Sequence, residues 1–235
     1  MKRSAHGFSL VEMAVVLVIA GLMIGGLLTP LAMQLEQRKI GDTQKSMEEA
    51  REALIGFAMR NGYLPCPAVS PQNGLEDRQG TSCRDGKRQG LLPWATLGVA
   101  KLDSWGHIYR YSVTPEFTNS QALFSLQSAR DITIGTRDSS GNLVAASAIN
   151  DIPAVIVSHG KNGAGGVSDT GIRTAAVSAT NADERTNASA AGIAFVSRIP
   201  SDSPAAAGGE YDDLVAWISP NVLFSRMVAS GALPR

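Results

Sequence analysis

An acid placed inside an oily segment constrains this chain more than any other feature. The stretch "HGFSLVEMAVVLVIAGLMIGG" occupies residues 6–26, and residues 13–28 carry no charged or strongly polar side chain. Apolar character resumes after Thr29 and Pro30 as far as Met33. About 20 such residues suffice to cross a bilayer as a helix. Glu12 stands at the start of this run, five residues after Gly7. A carboxylate in hydrocarbon costs about 2.5–3.5 kcal/mol or more, so one that is kept there implies a function. The plainer alternative is a secretory signal or simple anchor whose acid rests idle near the interface.

Lys2 and Arg3 precede the run, and the first acid after it is Glu36. The positive-inside rule then keeps the short N-terminus cytoplasmic and exports the chain beyond the apolar run. A cleaved signal peptide has the same basic start and apolar middle, with "TPLAM" (29–33) as its cleavage site. Composition leaves both readings open. It does not point to nucleic acid, because the formal net charge is zero and no basic, aromatic-rich patch appears. The length, 235 residues, suits one domain with an appended element. Cys66 and Cys83 fall in the exported part, where a disulfide is expected, and two cysteines are too few for a structural zinc site.

Between residues 8 and 60 the only strong helix breaker is Pro30, which a membrane helix tolerates as a kink. Leu31 and Leu35, then Met47, Ala50, Leu54, Phe57 and Ala58, recur at three- and four-residue steps. Glu48, Glu49, Arg51 and Glu52 fall between them and face water. Gly62 suits the position just past a helix end. The pattern predicts one helix of roughly 80 Å, apolar all round in its first half and amphipathic in its second. The second half must lie on a folded domain. Gly21 and Gly25 form a GxxxG pattern that permits close helix approach.

"GFSLVE" followed by an apolar helix resembles the prepilin signature of type IV pilins and type II secretion pseudopilins. The resemblance implies a leader, residues 1–7, cut after Gly7 by a prepilin peptidase that then methylates the new terminus at Phe8. Residues 8–33 remain as the transmembrane and assembly helix, with its kink at Pro30, and residues 34–62 continue it amphipathically. It further implies single-pass residence in a bacterial inner membrane, then a place in a periplasmic or surface filament. The implied partners are the peptidase, an inner-membrane assembly platform and other pilin or pseudopilin subunits. In such filaments the acid matching Glu12 pairs with a neighbour's N-terminal amine. A partnered buried charge is tolerated where a lone one is not, and the pairing fixes axial register.

Residues 63–235 read as a Gly-, Ser- and Ala-rich periplasmic α+β domain. The expected architecture is a long N-terminal helix packed on a small antiparallel sheet with extended loops, as in pilins. Residues 62–93 read as a long loop pinned by Cys66 and Cys83. Strands are expected at 107–113, 121–127, 130–134, 192–198 and 212–219. "DSSGN" (138–142) reads as a hairpin turn before "LVAASA". "PAVIVS" (153–158) is a β-branched run typical of a strand buried on both faces. Residues 162–192 are small and polar and read as a surface excursion. Ser219 and Pro220 offer an N-cap and first-turn proline for a last helix.

"LDSWGHIYRYSV" (102–113) resembles the D-x-W-G-x-x-Y-x-Y segment of major pseudopilins. "SHGKNGAGG" (158–166) and "YDDLVAW" (211–217) parallel that family's glycine loop and acidic strand. The resemblance implies a calcium site there, and Asp169, Asp212 and Asp213 are its candidate ligands. Lys161 and Asn162 stand where the family carries an acid.

Nothing in the sequence points to catalysis. Ser158 and His159 are adjacent, and neighbours on a strand point to opposite faces, which is poor geometry for a nucleophile and its base. No G-x-S-x-G, HExxH or phosphate-cradling loop is present. The functional expectation is a structural filament subunit and not an enzyme: a pseudopilin or, as runner-up, a minor pilin that caps or initiates the fibre or binds surfaces or DNA. The rival from another class is a membrane-anchored exported binding domain or hydrolase.

Overall fold

The computed structural model describes residues 9–233, with the side chains of residues 24–30 outside that set. The roles expected of Gly7 and Phe8 therefore lie outside the described residues, as does the side chain of Pro30. The chain divides into two compact units, Met1–Asp42 and Thr43–Arg235. Helix α1 (Leu10–Asn61) belongs to both, with 52 residues. It ends as the sequence implies. Gly62 takes a left-handed φ of 81°, and its N–H donates to the Ala58 carbonyl at 2.7 Å.

In the first unit the described apolar side chains, among them Val15, Leu17, Ile19, Leu22 and Met23, are exposed. A bare helix of this composition is stable only when something apolar covers it.

In the second unit, the last turns of α1 bury Met47, Ala50, Leu54, Ile55 and Ala58. After the helix come β1 (Arg78–Gln79), β2 (Ser82–Cys83), β3 (Gln89–Leu91), α2 (Trp94–Leu97), β4 (Arg110–Val113), β5 (Thr133–Arg137) and β6 (Leu143–Ala145). The remaining elements are β7 (Ala154–Ser158), α3 (Ala182–Asn187), β8 (Ala194–Val196), β9 (Leu214–Trp217) and α4 (Pro220–Ala229). Four strands form an antiparallel sheet in the order β3-β4-β7-β9. Three others form a smaller sheet, β6-β5-β8, whose β5–β8 pair is parallel. The α+β class and the helix laid on an antiparallel sheet are as the sequence implied.

Strand β7 shows why its sequence is continuously apolar. Ala154 and Ile156 point into the core shared with α1, Tyr109, Tyr111 and α4. Val155 and Val157 point the other way, against Ile132, Ile134 and Phe195 of the smaller sheet. A strand covered on both faces has no polar side to show.

The segment 102–113 is held by one acid. Asp103 Oδ1 accepts the N–H groups of Trp105 at 3.0 Å and His107 at 2.8 Å, which closes the turn before β4. Its Oδ2 accepts the Ser158 hydroxyl at 2.7 Å and ties that turn to the end of β7.

Four expectations need correction. Residues 121–127 are not a strand. Asn119 Oδ1 accepts the N–H groups of Gln121 and Ala122 and turns the chain, while Phe124 packs 4.6 Å from Phe117. The strand expected at 130–134 is β5, starting at Thr133. Ser219 holds the N-cap position of α4 without a side-chain capping bond. Residues 162–192 are not wholly surface, since α3 buries Asp183, Glu184 and Asn187. The loop 62–93 is pinned by a disulfide between Cys66 and Cys83, as expected, and it also contributes β3 to the main sheet. Closing a 17-residue separation contributes roughly 3 kcal/mol by the chain-entropy estimate.

Candidate functional site

Among the described residues, two places bear on the expected site residues. The first is the start of α1, where Ser9 and Glu12 cap each other. The Ser9 N–H donates to Glu12 Oε2 at 2.7 Å, and the Glu12 N–H donates to Ser9 Oγ at 3.2 Å. This reciprocal pair is a capping box, which satisfies two of the donors left free at a helix start. The S-x-x-E spacing in "SLVE" is the sequence signal for it, one that the reading of Glu12 as a membrane acid passes over. Glu12 therefore has a local partner whenever no external cation is at hand.

Among the described residues no helix is long and apolar enough to cross a membrane. The apolar run with described side chains ends at Met23, short of the about 20 residues a span takes.

The second place is an acidic cluster in the second unit. Glu184 from α3 and Asp212 and Asp213 from the approach to β9 bring carboxylate oxygens within 4.8 Å of one another. Gly160 makes the approach feasible. Its φ is 55°, and a Cβ there would collide with the Asp212 carbonyl. Around the cluster, the Asn162 N–H donates to Asp212 Oδ2 at 2.7 Å and Asn162 Nδ2 donates to Glu184 Oε1 at 2.9 Å. Asn181 Nδ2 donates to Glu184 Oε2 at 3.2 Å, and Asn187 Nδ2 to Asp213 Oδ2 at 2.9 Å. Two oxygens, Asp212 Oδ1 and Asp213 Oδ1, have no hydrogen-bond donor. His159 Nδ1 lies 3.4 Å from Asp213 Oδ1.

Asp169, the third residue expected in this set, is elsewhere. Its carboxylate pairs with Lys101. Glu184 takes the place expected of it. The spacing N-x-x-E at Asn181 and Glu184, a helix-start pattern, is the signal for a buried element in that small, polar stretch. Ser158 and His159 do not form a nucleophile and base: the Ser158 hydroxyl donates to Asp103, and His159 faces Asp213.

The cluster's electrostatics follow from its crowding. Burial raises the Asp212 carboxyl from its ordinary value of 3.8 to about 7, and the charges of Asp213 and Glu184 push the same way. The Asn162 N–H opposes them. Two carboxylate oxygens without donors, in a three-acid set whose member resists ionisation, suit either a shared proton or a hard cation with oxygen ligands.

This crowding makes stability depend on pH. With its folded pKa above the unfolded one, Asp212 keeps its proton in the fold over a range where the unfolded chain has lost it. Stability from this group is therefore highest near pH 4 and declines as pH rises to about 7. Thermal unfolding scanned across that range without divalent ions is expected to show this decline, and Asp212→Asn is expected to flatten it. An unchanged slope in the variant would refute the assignment.

A family model described as the prokaryotic N-terminal methylation motif matches residues 2–28. No curated protein and no solved structure matches the chain. The motif marks a prepilin-type substrate of a processing peptidase and supports a type IV pilin-like prepilin. It implies assembly with other pilin subunits after residence at a membrane.

Proposed function

We propose that the chain is a structural subunit of a type II secretion pseudopilus or type IV pilus. It is cut after Gly7, N-methylated at Phe8, held in the inner membrane by the apolar half of α1, and packed by that half into a filament core. The observation that carries the reading is the methylation motif over residues 2–28 at the head of a 52-residue helix. The exposed apolar side chains of the first unit fit it, since lipid first and neighbouring helices later would cover them.

Glu12 sets the stagger between subunits by exchanging its capping partner Ser9 for a neighbour's terminal amine. Pro30 and Gly21 lend the segment bend and close approach. In the outer unit, Glu184, Asp212 and Asp213 hold a calcium ion. Bound there, the ion would neutralise crowded carboxylates; the chain's own part is to pin the 160–163 loop against the approach to β9.

Processing tests the reading. In cells carrying a prepilin peptidase the leader is expected to be lost, and in cells lacking it the full-length chain is expected to persist. A chain of the same length in both would overturn it.

A further inference from the structure

The second unit contains a cavity that the assembly reading does not use. Ten arginines lie between residues 62 and 233. Seven of them meet a carboxylate: Arg78 with Glu76, Arg84 with Asp77, Arg88 with Asp131, Arg130 with Asp151, Arg137 and Arg198 with Asp183, and Arg226 with Glu52. The remaining three, Arg110, Arg173 and Arg185, have no carboxylate partner among the described residues. All three line one cavity of about 520 Å³.

That coincidence has a physical content. A guanidinium is costly to bury unpaired, and between residues 62 and 233 the other seven are paired. Arg110, which lines the cavity, has 9% of its surface exposed. Its Nη2 donates to the Ser189 carbonyl, and its Nε has no acceptor. His159, 1% exposed, also lines the cavity, and neither ring nitrogen makes a hydrogen bond. Arg173 and Arg185 are exposed, and Arg185 Nη1 donates only to the Ala179 carbonyl. Burial lowers the Arg110 pKa to about 10; the charge of Arg173 adds to this, and Asp213 is the one acid that opposes it. Ile108 and Val177 supply apolar wall between the charged groups.

We infer that this cavity binds a small molecule with an oxyanion head, a carboxylate or a phosphate, on a short apolar body. The guanidiniums supply paired N–H donors matched to such a head, Arg110 from within and Arg173 and Arg185 from the mouth. The apolar wall takes the body. The site stands independently of filament assembly, because its residues all belong to the outer unit.

The test is calorimetric titration of the full chain, in non-ionic detergent, with butanoate, butyl phosphate and uncharged butan-1-ol. At least one anion is expected to bind and the alcohol is not; the preferred anion identifies the head. The Arg173→Ala/Arg185→Ala pair is expected to weaken binding by about tenfold or more, with an unchanged unfolding midpoint, since both side chains are exposed. Arg185→Gln alone is expected to weaken it less. Failure of both anions to bind, equal binding of the alcohol, or parental affinity in the double variant would overturn the inference.

Discussion

A Glu12→Ala chain is expected to be inserted and processed normally, yet to be absent from filaments. The substitution removes two things. One is the cap on α1, where Glu12 accepts the Ser9 N–H at 2.7 Å; caps of this kind contribute about 1 kcal/mol. The other is the charge proposed to meet a neighbour's terminal amine in an apolar surround, where breaking a partnered charge costs about 3–5 kcal/mol per interface. Summed along a helical filament, the second loss is decisive and the first is not. Glu12→Gln separates them. Glutamine preserves the capping box and discards the charge, so it is expected to fail as alanine does, while Ser9→Ala is expected to assemble. Filament recovery measured for the three variants gives the answer. Normal incorporation of the glutamine variant would show that capping, and not pairing, is what Glu12 supplies.

The largest effect on the outer unit is expected from Asp183→Ala. Asp183 is 1% exposed and binds two arginines at once. Arg137 Nη2 donates to its Oδ1 at 2.6 Å, and Arg198 Nε to its Oδ2 at 2.7 Å. The backbone closes over it as well: the Asp183 N–H donates to the Gly208 carbonyl at 3.2 Å, and a Cβ on Gly208 would collide with the carboxylate. The acid thus joins α3, β5, the Arg198 segment and the 208 turn. Removing it leaves two largely buried cations without compensation, at a cost of about 3–5 kcal/mol. For a chain of this size that lowers the unfolding midpoint by about 6–20 °C. Thermal denaturation of the variant measures it, and a change within the scatter of ordinary surface substitutions would contradict the account.

The sequence conveys the helix and the buried strand well, and for the same reason. Both owe their form to local pattern: the three- and four-residue spacing of Met47, Ala50, Leu54 and Ala58, and the uninterrupted "AVIV" of β7. It conveys the acidic cluster in part. Asp212 and Asp213 are visible in a strand-like context, but Glu184 sits in a polar, low-complexity stretch and enters the cluster through tertiary folding. Asp169 is misplaced by sequence reasoning because proximity to the glycine loop says little about which way a loop carboxylate turns; here it turns to Lys101. The strand expected at 121–127 rests on an apolar residue, Phe124, whose burial comes from packing with Phe117 and not from alternation. The three unpaired arginines are not legible at all. Their meaning depends on the other seven having partners, which only the fold reveals.

The central claim is that one acid is kept at the head of an apolar helix for a terminus created beside it. Intact-mass and N-terminal sequencing of the chain recovered from filaments tests it most directly. The account predicts a mature protein that starts at Phe8, lacks residues 1–7 and carries one added methyl group on its amine. A protein that still begins at Met1, or one cut near Ala32 with Glu12 discarded, would contradict it.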